Sequence, residues 1–185
     1  MIQETTIRVR YKETDQMGVV YYGNYFTWFE VGRNEFFREL GLTCGELEEE
    51  QVLLPVIETG CKYISSAKFD EEVIIKTKLT KLEGVRLTLE YKIYRKDNNE
   101  LLVEGFTKHA FVDKSLKPVR FRKKFKEEWK LLQDSLEKEE WYMGKILLFI
   151  IVTPIIDLYI LIKASQNVGF WPTIALIVAT GIVGY

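Results

Sequence analysis

A short segment near the N-terminus, Asp15 to Gly23, has the residue types and spacing of a reactive site. Asp15 is a loop carboxylate, Gly18 allows a tight turn, and a helix is predicted to begin just after the segment. The first backbone N–H groups of a helix are unpaired and carry partial positive charge, so they would stabilise an oxyanion that develops on a carbonyl substrate. Asp15 could attack that carbonyl or activate a water molecule. Alternatively, Asp15 only forms an Asx turn or a cap.

The helix after this segment is predicted by apolar residues that recur every three or four positions between Gly23 and Leu40. Asn24 is a candidate N-cap, and Gly41 is placed to follow the C-terminus of the helix. Gly32 in the middle costs about 1 kcal/mol relative to Ala. That cost is most easily explained if the helix lies pressed against a sheet at Gly32.

Strands are predicted on both sides of this helix. Ile7, Val9 and Tyr11 alternate with polar residues before it, and a capping box at Thr43 and Glu46 opens a short helix after it. Four more strands follow, joined by short turns, over residues 56–68, 73–82, 85–94 and 101–112. This order predicts an α+β domain in which a five-stranded antiparallel sheet packs against one long helix.

The motif and its surroundings resemble a known family. Residues Tyr11 to Tyr25, followed by Phe29, Glu30 and Arg33, resemble the signature of the hot-dog-fold acyl-CoA thioesterases of the 4-hydroxybenzoyl-CoA thioesterase type. The resemblance extends through the strand ending at Asp113 and covers roughly residues 2–120. It implies a hot-dog domain at 1–120 that hydrolyses an acyl-CoA thioester to a free acid and CoA, with no metal or organic cofactor.

The resemblance also implies roles for single residues. Asp15 takes the position of the catalytic carboxylate, as base or nucleophile, and Tyr22 the position whose backbone N–H lies by the thioester carbonyl. Gly18, Val19 and Gly23 complete the expected oxyanion and substrate contacts. Some relatives have His where Tyr22 stands, so a catalytic imidazole at this position is excluded here, whereas a site that uses only the aspartate is still compatible with the sequence.

The implied substrate and assembly add further expectations. Lys62, Lys68 and Arg86 are candidates to meet the phosphates of CoA at a subunit edge. The resemblance implies a homodimer, or a homotetramer built from dimers, with the active site at the subunit boundary. The competing interpretation is a non-catalytic hot-dog module that binds acyl thioesters or serves only in assembly.

Other residues that carry chemical groups are assigned structural roles. Glu30 and Arg33 are spaced for an ion pair on one helix face, and His109 is expected to be structural or exposed to solvent. Cys44 and Cys61 lack the neighbours of a nucleophile, and two cysteines with one histidine cannot form a four-ligand Cys and His zinc site. A net charge of −1 argues against nucleic-acid binding.

The C-terminal part differs sharply in composition. Residues 121–142 are predicted to form a charged helical linker, whereas Lys145, Asp157 and Lys163 are the charged residues of 143–185. Apolar runs at 146–162 and 170–185 predict a hydrophobic helical hairpin, even after about 3 kcal/mol is allowed for one aspartate in the membrane. Lysines before the first run and the lack of a signal peptide place the N-terminal domain in the cytoplasm, attached to the inner membrane through 146–185. The alternative is a hairpin buried in a soluble dimer.

Residues 143–185 resemble the N-terminal portion of the FxsA family of small bacterial inner-membrane proteins. The matching features are Met143-Gly144-Lys145, the stretch Gly169 to Thr173 and the final glycines. Members continue beyond the second span, so the segment is interpreted as a truncated FxsA-like unit fused to the domain before it. A membrane protein of FxsA type with a fused N-terminal partner is therefore the other candidate function.

Overall fold

The computed structural model describes residues 1–136, 149–154, 156, 159 and 163. Contacts divide the chain into two units, Met1–Lys138 and Glu139–Tyr185. The elements of the first unit are β1 (Ile2–Arg8), a 3-10 turn (Tyr11–Glu13), α1 (Asn24–Glu39), α2 (Cys44–Glu49), β2 (Val56–Tyr63), β3 (Glu72–Glu83), β4 (Arg86–Arg95), β5 (Leu101–Ala110) and α3 (Phe121–Lys124). Residues 126–136 are also helical.

The five strands form one antiparallel sheet in the order β1-β3-β4-β5-β2, so β1 and β2 are its edges. α1 packs on one face through its buried residues Tyr25, Trp28, Phe29, Gly32, Phe36 and Phe37. The opposite face, here called the outer face, carries charged pairs such as Lys92 and Glu104, whose charged atoms are 3.2 Å apart. The sheet and helix confirm the predicted α+β class and the layout expected of the hot-dog fold.

At Gly32 the backbone of α1 lies directly against the sheet. A Cβ atom at this position would lie 2.5 Å from Thr77 Oγ1 and 2.9 Å from Ile75 Cγ2, distances that real Cβ atoms do not reach. The predicted close contact is therefore confirmed. It fixes how deeply α1 sits on β3, and hence where the residues at its N-terminus lie.

The boundaries of α1 agree with prediction at one end only. Gly41 follows the helix with a φ of +72°, as predicted for the residue after a helix end. The prediction of Asn24 as N-cap is wrong, because Gly23 holds that position and Asn24 is the first helical residue. The Asn24 side chain instead donates to the Glu13 carbonyl oxygen at 2.7 Å, which ties the helix start to the preceding loop.

β1 is shorter than the alternating pattern predicted. The strand ends at Arg8, and Tyr11 lies in the 3-10 turn with 78% of its surface exposed. Arg10 caps this turn through reciprocal bonds with Glu13, which takes the chain out of the sheet. The turn directs the following loop towards the start of α1.

The charge-dense stretch after Arg120 contributes to the core of the first unit. Phe121, Phe125, Trp129 and Leu132 are buried together with the sheet and α1 residues. The rings of Phe111 and Phe121 stack with centroids 4.0 Å apart. The apolar side chains of this stretch thus face the core, and most of its charged side chains are exposed on the other side.

In the second unit, residues 149–154 are helical and their apolar side chains are exposed within the described part of the chain. None of the helices in the described ranges is both long and apolar enough to cross a membrane. Most of the predicted hairpin, including Asp157 and the run 170–185, lies outside the described residues.

Candidate functional site

A tight hairpin presents Asp15 beside the start of α1. The Asp15 N–H donates to the Val19 carbonyl oxygen at 2.9 Å, and the Gly18 N–H donates to the Asp15 carbonyl oxygen at 3.0 Å. Gly18 has a φ of +75°, in the left-handed region that favours glycine, so it makes the turn as the sequence predicts. The Val20 N–H donates to the Ala67 carbonyl oxygen at 2.9 Å and anchors the hairpin to the segment between β2 and β3.

The Asp15 carboxylate uses one oxygen for structure. Its Oδ1 accepts a hydrogen bond of 2.8 Å from the Met17 N–H, which is the Asx turn considered as the alternative role. Within the described residues no hydrogen bond reaches its Oδ2. Because the side chain is half-buried, the turn fixes the carboxylate and leaves its second oxygen available for chemistry.

Among the described residues, the turn before α1 leaves two backbone donors without partners. The Tyr21 N–H donates to Glu13 C=O, and the Asn24 N–H donates to Tyr21 C=O, each at 2.9 Å. Between them, the N–H groups of Tyr22 and Gly23 make no hydrogen bond to any described residue. Adjacent free N–H groups at a helix N-terminus are the arrangement that stabilises an oxyanion.

Glu13 holds this arrangement together, a role that was not predicted from the sequence. Its carboxylate is 4% exposed, 2.6 Å from Arg10 Nη2, and accepts from the Trp28 indole N–H at 3.3 Å. Burial alone would raise the pKa of Glu13, but the bonds from Arg10 and Trp28 together lower it, so Glu13 stays ionised. Its spacing of three from Arg10, just before Asp15, was the signal available in the sequence.

The Tyr22 side chain lies outside the carbonyl-binding turn. Its ring is 60% exposed and contacts the ring of Tyr21, with centroids 4.4 Å apart. Tyr22 therefore contributes its backbone N–H, and not its side chain, to the pair of N–H donors at the start of α1. Gly23 leaves room for the neighbouring ring, since a Cβ atom at this position would lie 2.8 Å from the Tyr21 ring.

The three candidate CoA contacts are not brought together within one chain. Lys68 is exposed and pairs by backbone with Val19, directly beside the Asp15 hairpin. Lys62 is opposite Glu104 and Arg86 opposite Ala110 on β5. These β5 partners are separated by about 20 Å of strand, so Lys62 and Arg86 cannot contact the same phosphate in one protomer.

Other residues considered in the sequence lie apart from the hairpin. The predicted Glu30–Arg33 ion pair is absent from the described contacts, and the Arg33 guanidinium donates to Asn34 Oδ1 instead. Cys61 is half-buried, and burial raises the pKa of its thiol, which does not favour a nucleophile. Cys44 begins α2, and its side chain lies outside the described part of the structure. His109 is fully buried.

Cavities lie on both sides of the sheet. The smaller, about 160 Å³, lies beside α1 and is lined by Phe26, Glu30, Arg33, Val56, Thr59, Tyr91 and Thr107. The larger, about 1030 Å³, is a hollow of the outer face with lysines along its walls, and none of the residues from Asp15 to Gly23 lines it. Phe26, which lines the smaller cavity, is three residues after Gly23 on α1. Among the described residues no group of three His, Cys, Asp or Glu side chains is arranged to hold a metal ion.

Two protein families match separate parts of the chain. Residues 17–102 match the thioesterase superfamily, and residues 147–185 match the family of FxsA cytoplasmic membrane proteins. The first match contains the free N–H donors and most of the sheet. The second falls on the apolar C-terminal runs.

Individual relatives are similar over the N-terminal unit. A putative acyl-CoA thioesterase of Bacillus subtilis, YneP, is 35% identical over 138 residues, which are 74% of this chain and 99% of the relative. The acyl-CoA thioesterase YbgC of Haemophilus influenzae is 36% identical over 65% of this chain and 88% of its own. The crystal structure of a DHNA-CoA thioesterase from Staphylococcus aureus superposes with a TM-score of 0.71 at 32% identity, covering 75% of this chain and 95% of that one. The chain therefore belongs to the thioesterase superfamily, as a thioester hydrolase of hot-dog fold, and it continues into a segment that matches the FxsA family model.

Proposed function

We propose that this protein hydrolyses acyl-CoA thioesters to a free acid and CoA, with Asp15 as the catalytic carboxylate. The observation that carries the proposal is the juxtaposition, in one short segment, of a half-buried carboxylate with a free oxygen and two free N–H donors at the start of α1. Acyl-CoA substrates agree with the names of the relatives from B. subtilis and H. influenzae.

In the proposed reaction the thioester carbonyl oxygen lies against the N–H groups of Tyr22 and Gly23. These donors stabilise the negative charge that forms on the oxygen when the carbonyl carbon is attacked. Asp15 Oδ2 either takes a proton from the attacking water or attacks the carbon itself, and in the second route water then cleaves the acyl–enzyme anhydride. In both routes the C–S bond breaks, water supplies the new oxygen of the acid, and the CoA thiolate is protonated.

Release of free thiol by the purified chain, presented with acyl-CoA substrates of different acyl groups, tests this function. Release of thiol in the presence of the folded protein, and not after it has been denatured, supports hydrolysis. Tight binding of acyl-CoA with no release would instead support the non-catalytic module.

We assign the acyl group to the 160 Å³ cavity beside α1. An apolar cavity of about 150 Å³ accommodates a benzene ring, so this one is sized for an aromatic or short acyl group. Glu30, Arg33 and Thr107 give its wall polar character. For the CoA portion, Lys68 is the candidate of choice, because it is exposed beside Val19 and no carboxylate among the described residues lies within salt-bridge distance of it.

A second copy of the chain is expected to complete the enzyme. β2 is an edge strand next to the site, and its apolar residues Val56 and Ile57 are each about half exposed, as is Ile64 just beyond it. Exposed apolar edges favour pairing with another strand. Light scattering on a chain ending at Lys138 is expected to give the mass of a dimer or a tetramer. A monomer at micromolar concentration would contradict this expectation.

The C-terminal segment is proposed to attach the enzyme to the cytoplasmic membrane. Phe149, Ile150, Ile151 and Val152 are consecutive in a helix and all exposed, so this helix is apolar on every side. Such a surface requires an apolar environment, and the match to FxsA cytoplasmic membrane proteins supports a lipid one. The thioesterase unit is proposed to lie on the cytoplasmic side.

The attachment is tested by carbonate extraction at high pH. The full chain is expected to remain in the membrane pellet, because two apolar runs are removed from water there. A chain ending at Lys138 is the matched control and is expected in the supernatant. Recovery of the intact chain in the supernatant would show that it is peripheral, contrary to the proposal.

A further inference from the structure

The phenol of Tyr63, at the end of β2, lies against the turn that precedes α1. Its hydroxyl donates a hydrogen bond of 3.2 Å to the Tyr22 carbonyl oxygen. Its ring meets the rings of Tyr22 and Tyr25 edge-on, with centroid separations of 6.4 and 5.6 Å. Tyr63 is separated from Tyr22 by 41 residues in sequence, so this contact exists only because of the fold.

Because the peptide bond is planar, the hydrogen bond from Tyr63 to the Tyr22 carbonyl oxygen also sets the direction of the Gly23 N–H. The Tyr22 C=O and the Gly23 N–H belong to the same planar trans peptide, so they point in opposite directions. Holding the carbonyl from one side therefore aims the Gly23 N–H to the other side. The preceding peptide is held in the same way, because Tyr21 C=O accepts from the Asn24 N–H at 2.9 Å.

We propose that Tyr63 is a positioning residue for catalysis, which fixes the Tyr22–Gly23 peptide so that the Gly23 N–H is oriented towards the oxyanion. The proposal rests on the proposed thioesterase function and its use of these N–H donors. Tyr63 does not touch the substrate in this role. Because Tyr63 holds the Tyr22–Gly23 peptide in place beforehand, this peptide does not have to reorient during the reaction.

The bond has the properties that this role requires. Burial, followed by the neighbouring Cys61, raises the pKa of Tyr63, so its hydroxyl keeps its proton and remains a donor throughout the neutral and mildly alkaline range. The Tyr21 side of the turn is fixed by backbone alone, whereas the Tyr22 carbonyl depends on a side chain. Removal of one hydroxyl should therefore release one of the two donors.

The test is Tyr63→Phe in the full chain in detergent, which keeps the ring contacts and deletes the hydroxyl. Complete loss of an oxyanion donor costs about 10²- to 10³-fold in kcat, so a donor that is only loosened is expected to cost about tenfold. KM is expected to stay within about twofold, and the unfolding temperature to be unchanged. Tyr94→Phe is the control, because it also deletes a tyrosine hydroxyl but on the outer face, and it should retain the wild-type kcat.

A second measurement separates positioning from substrate contact. A thioether analogue of acyl-CoA has no carbonyl for the donors, so its affinity should be equal in the wild type and Tyr63→Phe. A kcat equal to wild type, or a rise in KM with weaker thioether binding, would overturn the role.

The outcomes for the proposed function are distinct. If the wild type hydrolyses acyl-CoA and Asp15→Asn does not, the function stands, and the result for Tyr63→Phe decides this inference alone. If the wild type releases no thiol from any acyl-CoA, both fail together.

Discussion

Asp15→Asn is expected to slow acyl-CoA hydrolysis by about 10²- to 10⁴-fold, the range that a lost general base accounts for. The amide of Asn neither accepts a proton at neutral pH nor attacks a carbonyl. Its oxygen can still accept the bond that Met17 N–H donates to Asp15 Oδ1. The hairpin should therefore keep its shape, and the loss should appear in kcat rather than in stability.

The measurement is release of CoA thiol under saturating substrate, with unfolding temperature recorded alongside. Asp113→Asn is a matched control, because Asp113 also accepts backbone bonds in an Asx turn, from Ser115 at 2.8 Å and Lys117 at 3.0 Å, but lies beyond β5. Its rate should equal that of the wild type. If Asp15→Asn hydrolyses acyl-CoA as fast as the wild type, Asp15 is only the turn residue.

Local sequence patterns were sufficient to predict much of the fold. The periodicity of α1 and the capping box at Thr43 are each patterns within one element, and each predicted its element. The costly Gly32 predicted its own contact with the sheet, which the short distances to Thr77 and Ile75 confirm. Such features are predictable because their physical cause lies within a few residues of the pattern.

Features that depend on several distant segments were not predictable. Glu13 is stabilised as a buried carboxylate by Arg10 and by Trp28, and its carbonyl also holds Asn24. The failed N-cap assignment of Asn24 has the same origin, since its side chain is drawn away from the helix by the loop. A single sequence shows the residue types but not which of them meet.

The same distinction applies to the candidate site: some of its features were predictable from the local sequence, and others depend on distant segments. Asp15 and the turn at Gly18 follow from a loop before a helix, and both lie where this pattern placed them. The free N–H groups of Tyr22 and Gly23 depend on which carbonyls the neighbouring donors reach. Tyr63 requires the position of β2 relative to α1, which in turn requires the register of β2 on β5.

A buried hydrogen-bond relay around His109 gives the domain a pH-dependent stability. Leu54 C=O can only accept, so the His109 Nδ1, 3.1 Å away, is the donor. His109 Nε2 then accepts from the Thr107 hydroxyl at 2.8 Å, and Thr107 accepts from the Tyr91 hydroxyl at 2.8 Å. This chain of bonds fits the neutral imidazole, and a proton on Nε2 would reverse it.

Burial lowers the pKa of His109 from 6.5 to about 4 in the folded protein. As pH falls below 6.5 the unfolded chain takes up a proton that the folded chain excludes until about pH 4. The stabilising contribution is therefore complete above pH 6.5 and is lost progressively towards pH 4, by about 3 kcal/mol in total. Acidification should weaken the fold in this window even where the carboxylates remain ionised.

Urea unfolding of a chain ending at Lys138, at one protein concentration and at several pH values from 7 to 4, tests this effect against His109→Gln. At pH 7 the variant should be less stable, because the relay loses its centre. On acidification to pH 4 the wild type should lose about 3 kcal/mol more of its free energy of unfolding than the variant. The reason is that only the wild type has a histidine that binds a proton in the unfolded chain and excludes it in the folded one. Carboxylates such as Glu13 titrate in both proteins, so their effect cancels in the comparison.

Lys108→Gln, on the outer face of β5, is the control, and its free energy of unfolding should depend on pH as that of the wild type does. A difference between His109→Gln and the wild type that stays constant over this range would show that His109 is not held neutral by burial.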